Sequence, residues 1–265
     1  MMHSTNFPIG IFDSGVGGTS IWKEIVTLLP NENTIYLADS KNAPYGEKAK
    51  KEIIELAIKN TEFLLKQHCK IIVVACNTAT TNAVKTLRQN YDVPFIGIEP
   101  AIKPAALSTK TNVVGILATK GTLNSELFES TSSIFKEKIT IIETIGKGLV
   151  DLIENGKIIS PEMTHLLVSY LNPMLKENVD CLVLGCTHYP YLIPQIRKIV
   201  GEKMQIIDAG LAVAKQTKAI LEKNNLLQTS IQKGKHQLFS NSNIKVLEML
   251  VGNQIAFTEI KKRNF

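Results

Sequence analysis

Two stretches of the chain are close variants of one pattern: Ile71-Ile72-Val73-Val74-Ala75-Cys76-Asn77-Thr78 and Cys181-Leu182-Val183-Leu184-Gly185-Cys186-Thr187-His188. Each is a short apolar run that ends in a small residue, a cysteine and polar groups able to cap a helix. Apolar runs without alternation are what a strand needs when both faces of its sheet are covered, as in parallel α/β sheets. In such sheets the residues just past the carboxyl ends of strands line the ligand crevice. Cys76 and Cys186 therefore hold equivalent places in two units. The pattern predicts that they face each other across one substrate as opposed bases.

The rest of the chain alternates strand and helix around these two runs. Pro8–Phe12 reads as a first strand, followed by Asp13-Ser14-Gly15-Val16-Gly17-Gly18 and a helix over Ser20–Leu29. That glycine loop lacks the Lys-Ser/Thr of a P-loop and the last glycine of GxGxxG, so turn and ligand cradle stay equally open. Thr34–Ala38 is a second strand, which leads through Asp39 to the turn at Pro44-Tyr45-Gly46. A helix over Lys48–Lys66 precedes the Cys76 strand; a helix over Ala79–Gln89 and a strand over Pro94–Ile98 follow it. Beyond Glu99-Pro100 the pattern restarts, with strands at Asn112–Leu117 and Ile139–Ile142 and Ala118-Thr119-Lys120-Gly121-Thr122 in place of the first Asp-Ser-Gly loop. A short helix over Gly148–Glu154, a longer one from Pro161 to Lys176 and the Cys186 strand close the second unit. A strand at Gln205–Ile207, a helix over Leu211–Leu221 and a strand-helix-strand over His236–Phe257 end the chain. The expected fold is α/β: two similar doubly wound domains with mainly parallel sheets, related by internal pseudo-symmetry, with the active site in the cleft between them. The expected division is 1–98 plus 210–265 for the first domain and 99–209 for the second.

Charge and cysteine usage narrow the function. The net charge of +6 is spread out, and its densest clusters, Lys48–Lys51 and Lys261–Arg263, lack interleaved aromatics. This argues against nucleic acid as a partner and suits a small anionic substrate. Four cysteines without a CxxC pair indicate neither a disulfide framework nor structural zinc. The first residues do not read as a secretory leader, and no apolar run approaches the roughly 20 residues of a membrane span. The expected setting is a reducing cytoplasm with free thiols, no membrane partner and no metal.

Inverting an α-carbon requires an acid on one face and a base on the other, and a thiol with an ordinary pKa near 8.5 can serve as either. A cysteine at a strand end just before a helix also sits near free backbone amides and positive dipole charge. The amides around Asn77-Thr78 and Thr187-His188 are placed to bind a carboxylate. Asp13 and His188 are candidates to orient the thiols or move protons, although Asp13 as a helix cap is an equal reading. Cys186 with His188 could also form a nucleophile pair. Cys69 and Cys181 read as packing thiols, Trp22 as a packing residue and His165 as a structural or surface residue. His3, His68 and His236 have no evident partner.

Asp13-Ser14-Gly15-Val16-Gly17-Gly18, Pro44-Tyr45-Gly46, Ala75-Cys76-Asn77-Thr78-Ala79 and Gly185-Cys186-Thr187-His188-Tyr189-Pro190 together closely resemble the motifs of the bacterial glutamate racemases, from about Pro8 to at least Leu221. The resemblance implies cofactor-independent interconversion of L- and D-glutamate, with the D-enantiomer feeding peptidoglycan precursors. It makes Cys76 the thiolate that takes the proton from D-glutamate, beside Asp13. Cys186 becomes its counterpart for L-glutamate, supported by His188 and by Glu154, with Asp151 one helical turn away as the competitor for that last place. It further implies that Ser14, Pro44, Tyr45, Gly46, Asn77, Thr78 and Thr187, together with Asp13 and His188, contact substrate. Thr119 and Thr122 match positions near the pocket for its side chain. A homodimer is left open. The alternatives are a racemase of aspartate or another acidic amino acid, and a non-catalytic ligand-binding protein on the same scaffold.

Overall fold

The computed structural model describes residues 5–98, 101–253 and 255–265. His3 and the expected boundary at Glu99-Pro100 lie outside them. The chain begins with β1 (Ile9–Asp13), α1 (Thr19–Leu28), β2 (Thr34–Ala38), α2 (Lys50–Lys66), β3 (Ile71–Val74), α3 (Asn77–Asn90) and β4 (Phe95–Gly97). It continues through α4 (Ile102–Ser108), β5 (Val113–Ala118), α5 (Lys120–Leu123), α6 (Glu126–Ser133), β6 (Thr140–Ile145), α7 (Leu149–Glu154) and α8 (Pro161–Lys176). Then come β7 (Cys181–Gly185), α9 (Ile193–Val200), β8 (Gln205–Ile207), α10 (Gly210–Lys223), β9 (His236–Ser240), α11 (Lys245–Val251) and β10 (Thr258–Lys262).

Every strand pair is parallel. One sheet runs β10-β9-β2-β1-β3-β4 and the other β6-β5-β7-β8. The segments β2-β1-β3-β4 and β6-β5-β7-β8 have one topology, with β5 in the place of β1 and β7 in the place of β3. The internal repeat is therefore a repeat of strand order. β9 pairs with β2 and β10 with β9, so the C-terminal segment extends the first sheet only.

Coverage on both faces explains the unbroken apolar runs. Ile71 and Val73 pack with Trp22, Ile25 and Val213, while Ile72 and Val74 pack with Leu64, Ala79 and Leu87. In the second sheet Val183 joins Val114, Ile116 and Phe128, and its neighbours Leu182 and Leu184 join Leu167, Leu171 and Met174. Burying such a side chain contributes about 1.5–3 kcal/mol, so an apolar residue is favoured at every position of a doubly covered strand. Cys69 and Cys181 are part of these cores, and burial pushes the Cys69 thiol up to about 12. Trp22 also packs, while its Nε1–H donates to Thr34 Oγ1 at 2.9 Å. His236, without an evident partner in the sequence, lies 3.0 Å from that same oxygen and is held neutral by burial, at about 4.

At the end of the first sheet away from Cys76, Lys70 Nζ meets Glu32 Oε2 at 2.6 Å with both side chains buried. The other Glu32 oxygen accepts the Gln228 N–H at 2.7 Å, which anchors the polar connection from α10 to β9. The last strand starts at Thr258, beyond the expected range, because Phe257 turns the chain at a left-handed φ of 56°. No helix among the described residues is long and apolar enough to cross a membrane.

Candidate active site

The ends of β1 and β3, and of β5 and β7, are the places where strand order reverses in the two sheets, and the sequence places its polar residues there. Asp13 ends β1 and Ser14 follows it. Cys76 follows β3 and caps α3, its Sγ accepting the Ala79 N–H at 3.4 Å. Thr119, the positional counterpart of Ser14, follows β5 and caps α5. Cys186, Thr187 and His188 follow β7. A cavity between the sheets is lined by Ser14, Pro44, Tyr45, Gly46, Cys76, Asn77, Thr78, Thr119, Cys186, Thr187, His188 and Val150. All but Val150 are residues the sequence had singled out. The cavity measures about 10 Å³, room for a single water.

Asp13, Glu154 and Thr122 stand behind this wall. The Cys76 thiol donates to Ser14 Oγ at 3.7 Å, and Ser14 donates to Asp13 Oδ1 at 3.4 Å. Asp13 Oδ2 accepts the Gly18 N–H at 2.7 Å, and the Thr187 hydroxyl approaches it to 3.4 Å from the other side of the cleft. On that side Cys186 Sγ lies 3.7 Å from His188 Nδ1, and His188 Nε2 lies 2.7 Å from Glu154 Oε1. Two parallel chains of groups result, Cys76–Ser14–Asp13 and Cys186–His188–Glu154. Each runs from a thiol to a carboxylate.

Burial sets the electrostatics. It raises Asp13 above the usual carboxylate range, against the pull of His188 and the Gly18 amide. Burial, and then the charge of Asp13, pushes the Cys76 thiol well above its ordinary value. Burial works against a charged His188, yet its hydrogen bonds to Cys186 and Glu154 and the negative charge around it outweigh that, so it is held well above its ordinary value. The Gly17 N–H also points at His188 Nε2, at 3.3 Å, but the carboxylate at 2.7 Å is the stronger partner for the proton on that nitrogen.

The glycine loop after β1 exists for this contact. Glu154 Oε1 accepts the Val16 N–H at 2.6 Å. A Cβ on Gly15 would stand 1.9 Å from Glu154 Oε1, and one on Gly17 would stand 2.2 Å from His188 Nδ1. The glycines clear space for the second unit, a use that neither the turn reading nor the cradle reading had foreseen. Glu154, not Asp151, holds His188; Asp151 is exposed at the mouth of a neighbouring groove with Glu47, Lys120 and Lys147. Thr78, Thr119 and Thr122 form a hydroxyl cluster across the cleft, with Oγ1 separations of 2.9, 3.0 and 3.3 Å. Tyr45 lines the cavity, but its hydroxyl is bound to Asp39 and Asn60. Val150 shares a helical face with Glu154 four residues on, the signal that could have found it.

Residues 9–217 match the profile of the Asp/Glu/Hydantoin racemase family. The chain belongs to that family. A glutamate racemase of Ectopseudomonas mendocina is 43% identical over 96% of this chain and 98% of its own length. The fold matches the Escherichia coli glutamate racemase, whose structure holds L-glutamate, with a TM-score of 0.84 at 31% identity over 96% of this chain and 97% of that one. It matches the Francisella tularensis glutamate racemase, solved with D-glutamate, with a TM-score of 0.82 at 30% identity over 97% and 98%. Membership makes the chain an amino-acid racemase, an isomerase.

Proposed function

We propose that the chain interconverts L- and D-glutamate by a two-base transfer at the α-carbon. The observation that carries this reading is the pair of cysteines at equivalent strand ends on opposite sides of one small cavity, each with its own route to a carboxylate. In the D-to-L direction the Cys76 thiolate takes the α-proton and becomes a thiol. The carbanion then takes the Cys186 proton on its opposite face, leaving Cys186 as the thiolate. The reverse direction exchanges the roles. Asp13, raised by burial and reached through Ser14, is the acceptor that readies Cys76, and the start of α3 favours the thiolate once formed. His188, oriented by Glu154, serves Cys186 in the same way.

The amides at Asn77-Thr78 and Thr187-His188 hold the α-carboxylate and stabilise charge developing on it. Ser14, Gly46 and the threonine cluster meet the rest of the substrate. Supply of D-glutamate to peptidoglycan, a cytoplasmic setting and assembly as a homodimer belong to the same reading. The free state of the four cysteines supports the cytoplasmic part. The test is substitution of each thiol: Cys76→Ser and Cys186→Ser each reduce racemisation at least about 1,000-fold, some 4 kcal/mol of barrier, with the circular dichroism spectrum unchanged. Full turnover by either variant rules out the two-base route.

A further inference from the structure

Asp39 is a buried carboxylate that gathers side-chain donors from two segments, the connection between β2 and α2 and the stretch just past β9. The Tyr45 hydroxyl donates to Oδ2, and the side-chain amides of Asn42 and Asn241 donate to Oδ1. Its backbone N–H donates to the Asp13 carbonyl at 3.0 Å, which locks its place beside β1. Asn241 stands just past β9, and its Oδ1 also accepts the Lys41 N–H at 2.9 Å. Tyr45 receives a second bond from Asn60 Nδ2 at 3.1 Å. Tyr45 and the adjoining Gly46 line the cavity that holds Cys76. With its hydroxyl committed to Asp39, Tyr45 offers substrate a fixed wall and backbone, not a free phenol.

We infer that Asp39 and Asn241 are positioning residues: together they fix Tyr45, and so the C-terminal return of the chain supports the wall of the catalytic cavity from behind. The inference rests on the glutamate reading for its kinetic consequence but not for its geometry. A carboxylate that accepts three side-chain bonds in a buried place is a strong and directional holder. Asn241 is the member that no local sequence signal connects to the site, because it reaches Asp39 only through the β2–β9 pairing.

The experiment compares Asp39→Asn, Asn241→Ala, Tyr45→Phe and the double variants. Asp39→Asn and Asn241→Ala should each raise KM for glutamate about 5- to 10-fold and change kcat less than about 3-fold. Either change combined with Tyr45→Phe should add little, since both act through one hydroxyl. Alkylation of Cys76 by iodoacetamide, read by mass spectrometry without any substrate, should quicken several-fold in Asp39→Asn as the wall loosens. A purely structural role would lower Tm in these variants and leave KM and the Cys76 alkylation rate at wild-type values, and that overturns the inference. Additive effects with Tyr45→Phe would overturn it as well. Racemisation by the wild-type chain is the separate control for the glutamate reading, and the alkylation rates stand whatever its outcome.

Discussion

Asp13 illustrates how a single residue is placed for chemistry at a cost to stability. It is fully buried and its pKa is raised, so the folded chain binds its proton more tightly than the unfolded chain does. Stability then falls as pH climbs from the ordinary value near 3.8 through the raised one, because above that window a charge must be kept out of water. Asp13→Asn keeps an oxygen for the Gly18 amide and removes the charge. The expected outcome is a Tm above that of the wild type at pH 7, the difference shrinking toward zero near pH 4, together with a loss of racemisation of at least about 100-fold. Calorimetry across pH and a polarimetric assay check the two halves. A lower Tm for the variant at neutral pH would mean that the hydrogen bonds of the carboxylate outweigh its burial.

At the scale of elements, the glycine loop after β1 and the helix α7 are fitted to each other across the cleft. Gly17→Ala leaves the first sheet untouched and drives a methyl group into His188, so the ring must move from between Cys186 and Glu154. Its kcat should fall at least about 100-fold, near 2.7 kcal/mol, with the far-ultraviolet spectrum of the wild type; unchanged kcat would show that the ring has room to adjust. The elements that were legible in the sequence are those with dense local signals. β3 and β7 announced themselves as unbroken apolar runs because both faces of each are covered, and the repeat then set Ala118–Thr122 in the place of the first Asp-Ser-Gly loop. The helices α4, α6 and α9 were not read. α4 carries Pro104, α6 is half serine and threonine, and α9 opens on Ile193-Pro194, so none has strong helical propensity and packing decides them. Glu154 was named ahead of Asp151 by the resemblance alone, with no local signal to decide between them. The choice depends on the Val16 amide, distant in sequence and brought near only by the closing of the two units.

For the whole molecule, the two thiols line one small cavity between the two sheets. A glutamate held there would be enclosed by walls from both sheets, which removes water from the carbanion. Hydrogen exchange should register this: amides around residues 44–47 and 146–154 are expected to exchange more slowly with saturating D-glutamate than without it. Unchanged exchange at both would argue that substrate reaches the thiols with no movement of the cleft walls. The most direct test of the two-base route is proton NMR of D-glutamate in D2O with the reduced enzyme, followed from the earliest turnovers and run beside D-aspartate. The expected result is L-glutamate that carries deuterium at the α-carbon, while the remaining D-glutamate keeps its α-proton. L-glutamate that retains the original proton, or unreacted D-glutamate that exchanges before any product forms, would contradict two opposed thiols, and exchange of aspartate alone would move the substrate assignment.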